Sequence, residues 1–168
     1  MIKMLEPMSS EIEQEAFITR RVLERVPADK LTWKPHPKSM SLGQLALHVA
    51  TIPGGISRVA QLDEFDVAAA NFNPPAASST EEILTALEAS VKTAQEYLGG
   101  VSESVAMGTW RMTANGREVL SMPRIALLRS IMLNHWYHHR GQLSVYLRLL
   151  EVPVPVIYGR SADENPFE

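Results

Sequence analysis

The stretch Asn134-His135-Trp136-Tyr137-His138-His139-Arg140-Gly141-Gln142-Leu143 lies inside a run that reads as one long helix, from about Met122 to Leu150. Ser121 is placed to cap it, and Pro123 falls in its first turn, where a missing N–H costs nothing. Pro153 and Pro155 terminate it. Each helical residue advances by about 100°, so with His135 at zero His139 lies near about +40°, Gln142 near about −20°, and Tyr146 and Leu128 near about +20°. One face thus carries Leu128, Ile131, His135, His139, Gln142 and Tyr146, apolar at its start and polar in its middle. On an inward face an unsatisfied polar group costs about 1–3 kcal/mol. A metal ion bound by both imidazoles removes that cost, and the i, i+4 spacing brings the two rings within reach of one ion. No glutamate follows His135, so the metalloprotease arrangement and its general base are absent.

Three more helices are predicted upstream. The first runs from about Met8 to Arg25, capped by Ser9 or Ser10, with Ile12, Ala16, Thr19, Leu23 and Val26 at helical spacing and Pro27 ending it. Its charged residues Glu11, Glu13, Glu15, Arg20 and Arg21 read as a solvated face. The second starts near Ser39 or Ser41 on the stripe Leu42, Leu45, Val49 and Ile52, and Pro53-Gly54-Gly55 should kink or interrupt it. The third has the plainest start, a capping box with Ser79 as N-cap and Glu82 reaching back, and Gly99-Gly100 stops it. The segment from Asp63 to Ser78 reads as a loop long enough for a crossover connection. Asn115-Gly116, between Trp110-Arg111-Met112 and Glu118-Val119-Leu120, permits a short hairpin before the last helix. The tail from Tyr158 to Glu168 has no core pattern. The expected fold is all-α, an antiparallel four-helix bundle in a single domain over residues 1–168.

A metal on His135 and His139 needs a third ligand. His48 is the natural candidate, because it adjoins the apolar stripe of the second helix. Gln44 lies one turn before it on the same side. Three neutral imidazoles leave an open position on the ion, the arrangement of a catalytic rather than a structural site. The duller alternatives are that the pair is merely solvated or hydrogen-bonded and that His48 is a satisfied core histidine. His138 sits at the edge of the face, as a neighbour of the ligands or a surface group. His36, between Pro35 and Pro37, reads as surface. Gln142 and Tyr146 either point into the metal pocket or pack, and Trp33, Trp110 and Trp136 read as packing groups.

The bulk numbers narrow the function classes. With 168 residues, 45% hydrophobic and 21% charged, the chain is ordinary for a globular protein. A net charge of −3, with the basic residues scattered, argues against a nucleic-acid partner. There is no cysteine, which excludes disulfides, thiolate ligands and a cysteine nucleophile; any thiol chemistry must bring its own thiol. No signal peptide or bilayer-length apolar run is present, so the expected compartment is the cytoplasm, without membrane association.

The segments Leu45-Ala46-Leu47-His48-Val49-Ala50 and Asn134 to Leu143, together with Val26-Pro27 through Lys34-Pro35 and the ending Tyr158-Gly159-Arg160-Ser161-Ala162-Asp163-Glu164, resemble the DinB/YfiT-like superfamily, which is unrelated to the polymerase of similar name. The resemblance spans nearly the whole chain. It implies a four-helix bundle, commonly a homodimer, with a metal, often nickel or zinc and sometimes manganese or iron. The family's ligands map onto His48, His135 and His139. Relatives include S-transferases and isomerases that use low-molecular-weight thiols such as mycothiol, bacillithiol or glutathione. The leading expectation is therefore a metal-dependent transferase with a thiol cosubstrate and a small-molecule substrate. A metal-dependent hydrolase is the second reading, weakened by the lack of an obvious carboxylate base near either histidine motif. A non-catalytic metal- or ligand-binding stress protein is the third.

Overall fold

The computed structural model describes residues 3–167. Helix α1 spans Glu6–Leu23, α2 Leu42–Ala60, α3 Thr80–Gly100 and α6 Asn134–Leu149. Between them lie β1 (Glu64–Asp66), α4 (Glu103–Met107), β2 (Thr109–Ala114), β3 (Arg117–Pro123) and the single turn α5 (Arg124–Ala126). The most extensive contact joins α2 to α3; α1 packs on α3, and α6 packs on α2. The core between them is built from residues such as Ile12, Leu23, Leu45, Val49, Leu87 and Leu98. Among the described residues no helix is long and apolar enough to cross a membrane.

The all-helical expectation needs amending. The molecule is mostly helical with a three-stranded sheet in the order β1-β2-β3. The anticipated hairpin is there, antiparallel, turning on Asn115 and Gly116 with φ of 51° and 76°, the left-handed pair that a tight two-residue turn requires. The strand β1, which pairs in parallel with β2, lies in the stretch read as loop. At three residues it is too short to show an alternating pattern.

Several boundaries also move. Helix α1 begins on Glu6 after a 3-10 turn, with Pro7 in its first turn and no side-chain cap. Ser9, a predicted cap, instead bonds Gln95 of α3. Ser41 does cap α2, in a reciprocal box with Gln44. Pro53 does not interrupt α2, which runs on to Ala60. The proline ring removes one helical donor, but the helix is braced there: the Gly54 amide donates to Ser90 Oγ at 2.8 Å. A Cβ on Gly54 would stand 2.8 Å from the Ser90 backbone, so glycine lets α2 press directly against α3. Ser79 caps α3 as expected, while the Glu82 carboxylate accepts from the Ser78 amide at 2.7 Å and from the Ser78 hydroxyl.

The last helix starts later and less regularly than its sequence indicates. Ser121 is not its cap; it pairs with Arg111 inside the sheet, and β3 runs through to Pro123. After α5 the backbone widens into a π-helical stretch, Leu127–Leu133, before α6 resumes regular geometry at Asn134. The wider turn shifts the angular phase, so Leu128 and Ile131 do not continue the histidine face in simple register. The buried stripe of α6 is Trp136, Arg140, Leu143 and Leu147, about a quarter-turn from the histidines. His135 and His139 therefore lie at the edge of the core, half-buried, and Gln142 is exposed.

Arg140 corrects one further expectation, and the tail packs beside it. Arg140 is 1% exposed and pairs with Glu15 at 2.5 Å, so Glu15 belongs to the interior and not to a solvated face. Tyr158 OH donates to Glu15 at 2.9 Å and accepts from Arg140 at 2.5 Å, and Glu164 pairs with Arg21 and Arg25. The segment without a core pattern is held by polar anchors.

Candidate metal centre

His48 projects from the middle of α2, and His135 and His139 project from adjacent turns at the start of α6. The packing of α6 on α2 brings the three rings together, with centroids 4.5–5.1 Å apart. One ring nitrogen from each lies within 4.8 Å of the others, so the three could hold a metal ion. His48 Nε2 and His135 Nε2 are 3.3 Å apart. Two imidazoles binding one ion tetrahedrally at about 2.0–2.1 Å separate their nitrogens by about 3.3 Å, so this edge already has the right length. His139 Nδ1–H donates to Gln142 Oε1 at 2.7 Å. That bond fixes the tautomer and leaves Nε2 of His139 as a free acceptor, the usual outer support of a metal-ligating histidine.

The electrostatics agree with a cation site. Burial, then the neighbouring His139 and His135, pull the His48 pKa down to about 4. Burial, His139 and His138 do the same to His135, also to about 4. His139 is lowered by burial and by His138, partly offset by its bond to Gln142. All three imidazoles are thus neutral donors near pH 7. Three neutral imidazoles clustered with one ring nitrogen each within 4.8 Å of the others form an arrangement that could hold a divalent ion.

The other residues singled out in the sequence fall into place unevenly. His138 is exposed, 4.9 Å from His139 between ring centroids, and outside the three-nitrogen cluster. His36 is exposed in its loop, where its Nδ1 accepts from the Lys38 amide. Gln44 does not meet His48; beyond its cap, its Nε2 donates to Asn73 Oδ1 at 3.3 Å and to the Pro74 carbonyl at 3.0 Å. Tyr146 donates to the Met40 carbonyl at 3.3 Å and packs edge-on against Trp33. Trp110 and Trp136 are buried packing groups, as expected.

The histidines open onto a cavity of about 300 Å³ whose other walls are Met40, Asn71, Phe72 and Pro74. Those four wall residues carry no periodic signal: Met40 stands just before the Ser41 cap of α2, and Asn71, Phe72 and Pro74 are delivered by a loop that Gln44 pins. A larger depression of about 550 Å³ near Tyr97 and Val101 contains none of the histidines. The chemistry therefore points to the smaller cavity. Arg140 has a signal in the sequence: an arginine stands alone in the apolar stripe of α6.

Comparison with known proteins agrees with this architecture. None of the curated proteins matches the sequence significantly. Among solved structures, the DinB-like protein YjoA of Bacillus subtilis superimposes with a TM-score of 0.67 at 20% identity, over 93% of this chain and 100% of the other. A DinB-like protein of Bacillus cereus gives a TM-score of 0.66 at 23% identity, over 86% and 91% respectively. At these identities the likeness concerns the fold. The family model described as the DinB family matches residues 1–166, and the chain belongs to that family.

Proposed function

We propose that the protein is a metal-dependent enzyme in which His48, His135 and His139 hold one divalent ion, and that it transfers a low-molecular-weight thiol to a small electrophilic substrate. The observation that carries this reading is the 3.3 Å separation of the His48 and His135 Nε2 atoms within a three-histidine cluster that faces a cavity. A divalent ion on three neutral imidazoles supplies Lewis acidity and an undiminished double charge, which lowers the pKa of an incoming thiol. The chain's own residues do the rest. Gln142 orients His139, and Gln44 holds the Asn73–Pro74 loop that walls the cavity. Phe72 and Pro74 offer an apolar surface to an electrophile. Nickel or zinc suits an all-imidazole donor set that leaves room for a sulfur ligand, with manganese or iron as less apt occupants.

The hydrolase alternative needs a base to manage a water proton, and among the described residues no carboxylate lines the histidine cavity. That favours the thiol reading. A non-catalytic binding protein is the third reading, and it predicts metal without turnover. In the same proposal the four long helices form an antiparallel bundle, the protein works as a homodimer in the cytoplasm, and it engages neither nucleic acid nor membrane.

The test begins with protein purified without chelators or a histidine tag. Elemental analysis should find about one divalent ion per chain. Cobalt-substituted protein should then develop a sulfur-to-metal charge-transfer band on addition of a small thiol. The chain has no cysteine to produce that signal itself. An unchanged cobalt spectrum at millimolar thiol would hand the site to the hydrolase or binding-protein readings.

A further inference from the structure

The histidine cavity shares two walls, Met40 and His139, with a second cavity of about 470 Å³. The two differ in chemistry. The first is faced by Phe72 and Pro74 beside the imidazoles. The second is faced by Lys38, Ser39, Gln142 and Tyr146. Among the described residues, Lys38 is the one charged side chain that lines either cavity, and no carboxylate lines them. Its place is fixed by a turn: the Ser39 amide donates to the His36 carbonyl at 2.9 Å, and the Lys38 amide donates to His36 Nδ1 at 3.2 Å. Tyr146, donating to the Met40 carbonyl, ties the opposite wall to the same loop.

We infer that the second cavity is the subsite for an anionic substituent of the small molecule that reaches the metal, with Lys38 as its counter-charge. The inference rests on the proposed metal site and adds the polarity of the ligand. A divalent ion held by neutral ligands that include His139, which lines both cavities, would together with Lys38 make the potential of the adjoining cavities positive. A molecule with an anionic end and a metal-binding head satisfies both charges. A neutral one of equal size leaves Lys38 unmatched. Lysine carries a point charge on a flexible stem, so it accepts a carboxylate or a phosphate without demanding a fixed fork geometry. The apolar wall at Phe72 is left for the uncharged reaction partner.

Two hydroxamates that share a metal-binding head provide the test: acetohydroxamate, which is neutral beyond that head, and the monohydroxamate of succinic acid, which adds a carboxylate. Both are titrated calorimetrically into cobalt-loaded protein. The succinate probe should bind roughly fivefold more tightly, the upper end for a solvent-exposed ion pair. The preference should disappear in Lys38→Gln, persist in Lys38→Arg, and shrink as salt is added. Equal affinity of the two probes, or a preference that survives Lys38→Gln, would overturn the subsite alone, whereas binding of neither probe to cobalt-loaded protein would overturn the subsite together with the open position on the metal. Failure of the wild-type protein to take up cobalt, seen as missing d–d absorption, would instead remove the metal reading and the subsite with it.

Discussion

Two faces of α6, about a quarter-turn apart, treat their polar groups in opposite ways. On one face His135 and His139 are half-buried and line a cavity, where with His48 they form a three-nitrogen cluster that could hold a metal ion. On the other, Arg140 is almost wholly buried, and its guanidinium is occupied by Glu15, Thr19 and Tyr158, with the Tyr137 and Tyr158 rings about it at 5.3 and 5.1 Å. The lesson is one of partners. A buried polar group whose needs are met internally holds a structure together, whereas one whose needs are left open awaits something from outside.

The sharpest way to break the contrast is to exchange the two kinds of damage. His48→Ala, His135→Ala and His139→Ala should each abolish stoichiometric metal uptake, measured by elemental analysis, while the metal-free proteins unfold near the wild-type temperature. Arg140→Ala should do the reverse. It leaves the Glu15 carboxylate buried without its cation, a change that costs about 3–5 kcal/mol. For a chain of this size that lowers Tm by about 6–20 °C in a metal-free thermal melt. Equal loss of stability in His135→Ala and Arg140→Ala would erase the distinction between the faces.

A smaller change probes how the open face is prepared. Gln142→Ala removes the acceptor that holds His139 Nδ1–H, and with it the orientation of the third ligand. Metal affinity should fall by about 10–100-fold, the usual effect of deleting the outer partner of a ligating histidine, with stoichiometry retained at saturating metal. Competition against a chelator of known affinity measures it. An unchanged affinity would show that packing alone orients His139.

Much of this was legible before the fold was known, and the limits are physical. Helical spacing put His135 and His139 on one face because that relation is local and lies within regular α6. The caps at Ser41 and Ser79 were readable for the same reason. The phase of Leu128 and Ile131 was not, because a π-helical stretch has no simple residue signature. The continuity of α2 through Pro53 depends on Ser90 of another helix. The cavity walls at Asn71, Phe72 and Pro74 come from a loop whose position is set by Gln44 across a long separation. The Glu15–Arg140 pair joins the two ends of the chain. Each of these is a tertiary fact, and pattern within a window of one helix does not contain it.

The smallest expected effect concerns protons. His48 and His135 titrate near 4 in the folded metal-free protein, lowered chiefly by burial, against an ordinary value of 6.5. Between those values the unfolded chain takes up protons that the folded one refuses. Stability therefore rises with pH across this window. Read downward, the loss starts as pH falls below 6.5 and is complete once pH passes the folded values near 4. Full burial would make such shifts worth several kcal/mol, but these rings are half-buried, and solvent screening leaves a combined effect on the order of 1–2 kcal/mol. Because carboxylates titrate in the same range, the quantity to compare is a difference: denaturant midpoints at pH 7 and pH 4.5 for the metal-free wild type and for a His48→Gln/His135→Gln double variant. The wild type should lose more over that interval, by about the stated amount. Identical losses would mean that the histidines accept protons freely in the folded state, and the open face of α6 would then be an ordinary hydrated surface, unlike the sealed arginine face beside it.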